Sequence, residues 1–297
     1  MNHYDCINGI SGVVYYLLNE NINLKELDTK KLSSLNEYLI WVTLPKMPYN
    51  KLLNIHIERN NLLLKEEREI YNEGLTNFSL SHGIMGPMMA LYRLYIYSKD
   101  ETVKQRLIFL FNLYKTFQKE NNNYIFFPSK LSKYDYENKL TNNYSVNYSW
   151  CYGDISILIC MLKISKELDC ITDYMHYINI IKKIFDKKLD FYKLNTPIIC
   201  HGYSSLIMEQ YYCYKTLKEE NILKTFGRNL EALFINYYYI NNILRKNKKL
   251  FLQNSYLYNE VQGYSEDLSF LNGTGGMFLT ILDIITNKGL YHDLLMI

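Results

Sequence analysis

Five segments of this chain share one pattern, a Gly-x-x-Gly or Gly-x-x-Ser core followed by an apolar run. They are Gly9-Ile10-Ser11-Gly12, Gly83-Ile84-Met85-Gly86, Gly153-Asp154-Ile155-Ser156, Gly202-Tyr203-Ser204-Ser205 and Gly273-Thr274-Gly275-Gly276. They recur every 50 to 75 residues or so, a period too long for small helical repeats. Small-residue pairs let a helix begin where backbones crowd together. Three of the cores directly follow a chemically capable side chain, namely His82, Tyr152 and His201. A repeated helix start bearing such residues predicts helix N-termini that converge on one cavity.

The intervening sequence is helical in period. Val103, Leu107, Leu110, Phe111, Tyr114 and Phe117 recur at steps of three and four, and Tyr174, Tyr177, Ile178, Ile181 and Phe185 repeat the pattern. These one-sided helices alternate with the glycine-led ones at 83–98, 154–166, 202–217 and 273–287. The latter carry little charge and read as buried on most sides. An inner ring of helices wrapped by an outer ring is the expected architecture. The pattern lapses between Trp41 and Leu80, where prolines stand at 45 and 48 and residues 52–59 partly alternate as a strand would. The charge-rich run Lys65–Arg68 follows. This region is either a small β-containing insertion or a long solvated connection.

Composition narrows the function. A chain of 297 residues can bury a sizeable core, and its 21% charged and 48% hydrophobic residues are those of a folded protein. A net charge of only +3, with no dense Lys/Arg block, argues against nucleic-acid binding. The thirty tyrosines fit a coding bias first and contacts with apolar peptide side chains second. Residues 1–5 lack the basic region of a signal peptide, and Arg93 and Lys163 interrupt the longest apolar stretches, so a cytoplasmic protein without membrane insertion is expected. Of the six cysteines, Cys160, Cys170 and Cys213 fall in apolar helical patterns and read as inert packing.

The remaining pair stands beside glycine. Cys151 in Trp150-Cys151-Tyr152-Gly153 and Cys200 in Cys200-His201-Gly202 place two thiols and an imidazole in two turns. Two sulfurs and a nitrogen suit Zn²⁺ and leave a fourth position open for a reacting group. Read from spacing alone, the same residues also serve as packed thiols and a hydrogen-bonded histidine.

Taken together and in this order, Ser81-His82-Gly83-Ile84-Met85-Gly86, Trp150-Cys151-Tyr152-Gly153, Cys200-His201-Gly202 and Asn272-Gly273-Thr274-Gly275-Gly276 resemble the motifs of the LanC lanthionine cyclases of lantibiotic (bacteriocin) biosynthesis. Asp5, ahead of the first glycine pair, also fits. The resemblance runs through essentially the whole chain, and the Trp-Cys-Tyr-Gly and Cys-His-Gly pair is its most specific part. It implies an all-α fold, an α/α toroid with a small β-containing insertion, whose inner helix starts surround the active site. Residues 1–41 would form the first helical unit, 42–80 the insertion and 81–297 the rest of the toroid. The family carries further helices ahead of the Asp5 motif, so its N-terminal helices are expected to be missing here.

The resemblance also implies a chemistry. A peptide cysteine adds to a dehydroalanine or dehydrobutyrine of the same precursor peptide, forming a thioether ring. Cys151, Cys200 and His201 are the implied zinc ligands. His82 is the implied acid for the resulting enolate, although a His before Gly also serves as a helix-start residue bonded to backbone. Asp5 would orient His82 or act as a turn residue, and Tyr152 would stabilise the developing oxyanion or simply pack. Implied partners are the dehydrated precursor, a dehydratase and an export transporter, through which a cytoplasmic enzyme could associate with the membrane. Residues that bind substrate are not assigned. Four positions depart from the family pattern: Asn147 stands where an Arg is usual, Ile155 and Ser156 replace the Pro and the second Gly of the usual Gly-x-Pro-Gly, and Ser205 replaces Gly. Asn147 and the short N-terminus favour the alternative, a non-catalytic peptide-binding scaffold.

Overall fold

The structure, a computed structural model, describes residues 4–18, 29–48, 51–121, 124–140, 144, 148–194, 196–246, 268–287 and 294–296. Asn147 lies outside them. The chain divides into two compact units. One comprises residues 1–146, 160–175 and 296, the other residues 147–159, 176–295 and 297.

In the first unit, α1 (Ile10–Leu17), α2 (Thr29–Val42) and α5 (Glu101–Phe117) pack against α4 (Met85–Ser98), which is buried along most of its first three turns. The side chains that α5 buries are Val103, Leu107, Leu110, Phe111, Tyr114 and Phe117, the stripe read from its period. Its N-terminus is capped conventionally, Asp100 accepting from the amides of Thr102 at 2.7 Å and Val103 at 3.2 Å. Such a cap contributes about 1 kcal/mol. Phe78 sits at the heart of this unit, edge-on to both Tyr114 and Phe117, while the Tyr114 hydroxyl donates to its carbonyl at 2.6 Å.

The expected placement of β-structure needs correcting. Residues 52–59 form no strand; they make only isolated bridges, Pro45 with Leu53 and Ile57 with Leu75. Leu52, Leu53, Ile55 and His56 are all buried, so the alternation a half-buried strand requires is absent. Of the strands, only β1 (Leu75–Asn77) falls within 42–80, and it pairs antiparallel with β4 (Lys130–Ser132). A separate hairpin joins β2 (Lys119–Asn121) to β3 (Tyr124–Phe126). The run at Lys65 forms a short exposed helix, α3 (Lys65–Ile70), and α6 (Lys133–Glu137) follows β4.

The second unit contains the start of α7 (Asp154–Glu167), the end of α8 (Ile171–Phe185), α9 (Tyr203–Leu217), α10 (Glu220–Lys246) and α11 (Thr274–Thr286). α9 packs against α10 and α11, and Ile207, Phe226 and Leu233 form a core with Tyr203, Tyr211, Leu230 and Ile284 around it. α8 buries Tyr177, Ile178, Ile181 and Phe185 as its period predicts, together with Ile180 and Ile184, whereas Tyr174 is only half-buried. Cys160 and Cys213 are buried on α7 and α9. Cys170 instead lies in the turn before α8, partly exposed, and no cysteine takes part in a disulfide. Among the described residues, no helix is long and apolar enough to cross a membrane.

A candidate metal centre and an acid–imidazole pair

The glycine-led segments do start helices. Gly9, Gly202 and Gly273 are the N-caps of α1, α9 and α11, α7 begins directly after Gly153, and α4 begins two residues after Gly83. The caps are extended with negative φ, so the need for glycine is one of space. A Cβ on Gly153 would lie 1.9 Å from the Ser149 carbonyl oxygen, and one on Gly202 would lie 2.3 Å from that of Thr196. The chain folds back over each helix start, and this tight return presents the side chains that precede the helix.

In the second unit, these returns bring Cys151, Cys200 and His201 together with their ligating atoms all within 4.8 Å of one another. Among the described residues this is the one such group of potential ligands. The turns are joined through the backbone, the Cys151 amide donating to the Cys200 carbonyl at 3.2 Å. The Cys200 amide is anchored in turn to the Leu271 carbonyl at 2.9 Å, just ahead of α11. Trp150 is buried and its indole donates to the Leu295 carbonyl at 2.9 Å, which makes it the structural anchor of the first turn.

The thiols are coupled. The Cys200 S–H donates to the Cys151 sulfur at 3.4 Å, and the Ser149 hydroxyl lies 3.9 Å from that sulfur. The Cys151 thiol is pulled below its ordinary value, chiefly by the bond from Cys200. His201 and Ser149 add to this and burial opposes it. Cys200 is pushed up by the same bond and by burial. The pair therefore gives up its first proton readily and holds the second, as one sulfur stabilises the charge on the other. Donor chemistry and spacing both fit zinc. Ligands of one zinc at about 2.3 Å for sulfur and about 2.0–2.1 Å for nitrogen stand roughly 3.5–3.8 Å apart; the two sulfurs, at 3.4 Å, are near that spacing, and the widest pair of the set has about 1 Å to close. Tyr152, next to Cys151, is half-buried.

In the first unit, His82 Nδ1 lies 2.8 Å from Asp5 Oδ2. A carboxylate only accepts, so Nδ1 carries the proton and donates, leaving Nε2 as the nitrogen available for proton uptake. The other Asp5 oxygen, Oδ1, accepts from the Asn8 amide at 2.6 Å. The orienting and the turn-forming roles of Asp5 thus coexist, one per oxygen. The His82 turn is built locally. Asn77 Oδ1 takes the Ser79 amide at 2.9 Å, and Ser79 Oγ takes the His82 amide at 3.2 Å. The Cys6 amide, bonded to the Ser81 carbonyl at 3.1 Å, ties the Asp5 segment to it. His82 is partly exposed and Asp5 mostly enclosed, an arrangement that leaves the imidazole accessible while fixing its tautomer.

Sequence reasoning passed over Glu209. It is fully buried on α9 and accepts from the Ser156 hydroxyl on α7. It is the lone acid in a helix that is otherwise uncharged as far as Lys215, and that was the available signal.

The nisin biosynthesis protein NisC of Lactococcus lactis subsp. lactis is 28% identical over 246 residues, which make up 79% of this chain and 55% of that protein. The chain thus spans about half the length of the curated relative it matches. The solved structure of nisin cyclase superposes with a TM-score of 0.75 at 24% identity, covering 99% of this chain and 66% of that one. This likeness shows the fold, the all-α toroid class. The model of the family described as lanthionine synthetase C-like protein matches residues 1–296, and the chain belongs to that family.

Proposed function

We propose that the protein is a zinc-dependent lanthionine cyclase. It would form thioether rings in a dehydrated precursor peptide by adding cysteine thiolates to dehydroalanine or dehydrobutyrine. The gathering of Cys151, Cys200 and His201 on two glycine-tight turns carries this reading, with family membership beside it. Cys151, Cys200 and His201 would hold the metal by three bonds and leave one position for the substrate. Bound there, zinc would supply the Lewis acidity that deprotonates a thiol whose free pKa is near ~8.5.

The rest of the reaction is the work of side chains. Attack of the sulfur on the β-carbon forms the new C–S bond and moves the double-bond electrons toward the carbonyl. His82 is the proposed acid. With Nδ1–H held by Asp5, its Nε2 would take up the proton that the substrate thiol gives up and deliver it to the α-carbon. Asp5 would fix that tautomer and the ring's orientation. Tyr152 is proposed to donate its hydroxyl to the developing enolate oxygen. A dehydratase that prepares the peptide and a transporter that exports it are the implied partners.

The test is direct. Elemental analysis of the purified protein is expected to find about one zinc per chain, in keeping with a single soft three-ligand set. The Cys151→Ala/Cys200→Ala double variant is expected to lose both the zinc and ring formation, followed by thiol-alkylation mass spectrometry. Full zinc content in that variant would reject the site.

A further inference from the structure

We propose that Glu209 is a positioning residue for the metal centre: its buried carboxyl, bonded to Ser156, sets the spacing of the helices whose leading turns carry Cys151 and Cys200–His201. The proposal rests on the zinc reading above and deepens it.

The two partners sit at matched places. Ser156 is the third residue of α7, five positions after Cys151; Glu209 is the seventh of α9, eight positions after His201. At about 1.5 Å of rise per residue, their bond lies roughly 9 Å along α9 from its first residue. The leading turns are already joined by the bond from the Cys151 amide to the Cys200 carbonyl. One bond at the turns and a second farther along hold the start of α7 against α9 at two points. With a single attachment, the angle there would rest on side-chain packing alone.

The surroundings make the bond strong and its loss costly. Glu209 is fully buried, and its Oε2 has no hydrogen-bond partner among the described residues. Burial pushes its pKa up to about 8, against the Ser156 bond that lowers it, and the Cys151 charge adds to the rise. Burial thus favours the neutral acid over the carboxylate. A polar group this deep is retained only where it is bonded, and inside the protein such a bond is strengthened by the low local dielectric. The adjacent Gln210 repeats the device on the other side, its Oε1 accepting from Asn229 Nδ2 on α10 at 3.1 Å. Polar bonds thus set the register of α9 against both neighbours.

Zinc affinity, measured by competition with a chromophoric chelator, tests the proposal alongside thermal melting and the thiolate-to-metal bands of the Co²⁺-loaded protein. Glu209→Gln mimics the neutral acid and keeps the acceptor, so its zinc affinity should stay within about threefold of wild type, a conservative rescue. Glu209→Ala and Ser156→Ala should each weaken zinc binding by about 10–100-fold, the usual effect of losing a group that orients metal ligands, and should shift the Co²⁺ bands. Their double variant should be no weaker than the worse single one. Lower melting with unchanged zinc affinity and unchanged Co²⁺ bands, or strictly additive losses, would overturn the proposal. If Glu209→Ala fails to fold, Ser156→Ala and Glu209→Gln decide on the same criteria. Should wild type bind no zinc, the metal reading fails and this one falls with it. Should Cys151→Ala/Cys200→Ala abolish binding while the Glu209 and Ser156 variants bind as wild type does, only the positioning role is wrong.

Discussion

Replacing Gly153 with alanine adds one methyl group at the point where the chain folds back over the start of α7. That carbon would lie 1.9 Å from the Ser149 carbonyl oxygen and 2.7 Å from the Ser149 nitrogen, where side-chain carbons essentially never come within 3.0 Å. Both obstacles are backbone, so no rotamer relieves them, and the turn from Ser149 to Gly153 must open by about 1 Å or more. Cys151 lies inside that turn. Metal–ligand distances hold to about ±0.2 Å, so a displacement of this size takes the sulfur out of range of a shared ion. The expected result is a zinc affinity lowered by about 100-fold, with about 1–3 kcal/mol of stability lost to overpacking. Chelator competition and thermal melting measure the two effects. Gly227, exposed in α10 with nothing within 4 Å of an added Cβ, is the control. Gly227→Ala should leave zinc binding unchanged and stabilise the protein by about 0.4–1 kcal/mol. A Gly153→Ala protein with wild-type zinc affinity and melting temperature would refute the claim that glycine is there for space.

Other outcomes follow from the two centres and from the buried histidine of the first unit. His82→Asn should keep any bound zinc, because His82 is not among the proposed ligands, yet form rings about 10²–10⁴-fold more slowly or with incorrect α-carbon stereochemistry. Normal cyclisation by that variant, read by mass spectrometry and chiral product analysis, would remove His82 from the mechanism. His56 is buried between Thr76 Oγ1 at 3.0 Å and the Glu73 carbonyl at 3.1 Å, and desolvation lowers its pKa. Its folded value lies below the unfolded one of about 6.5, so the stability it contributes is present above that pH and is lost as pH falls through the folded value. Denaturant melts should therefore show wild type losing more stability than His56→Gln on going from pH ~7.5 to pH ~5. Equal losses would contradict the assignment of a neutral His56.

Much of this molecule is written locally. The stripe of α5 depends on side chains three and four apart on one helix, so periodicity alone identifies it, and tertiary packing only had to accept it. The Cys and His residues of the cluster are legible for the same reason, since Cys151 and the Cys200–His201 pair each stand within two residues of a glycine that demands a tight turn. What the sequence could not disclose depends on partners distant in the chain. β1 exists because Leu75 meets Ser132, and strands of three residues carry no period of their own, which is why the alternation at 52–59 misled. The two roles of Asp5 became separable only when Asn8 and His82 were seen to occupy different oxygens. Glu209 reads from sequence as an ordinary helix former. Only tertiary packing buried its carboxyl against Ser156, and a charge-bearing group acquires a new chemistry when water is removed from it. Local spacing determines which residues arrive at a helix start; long-range packing determines what each of them meets there.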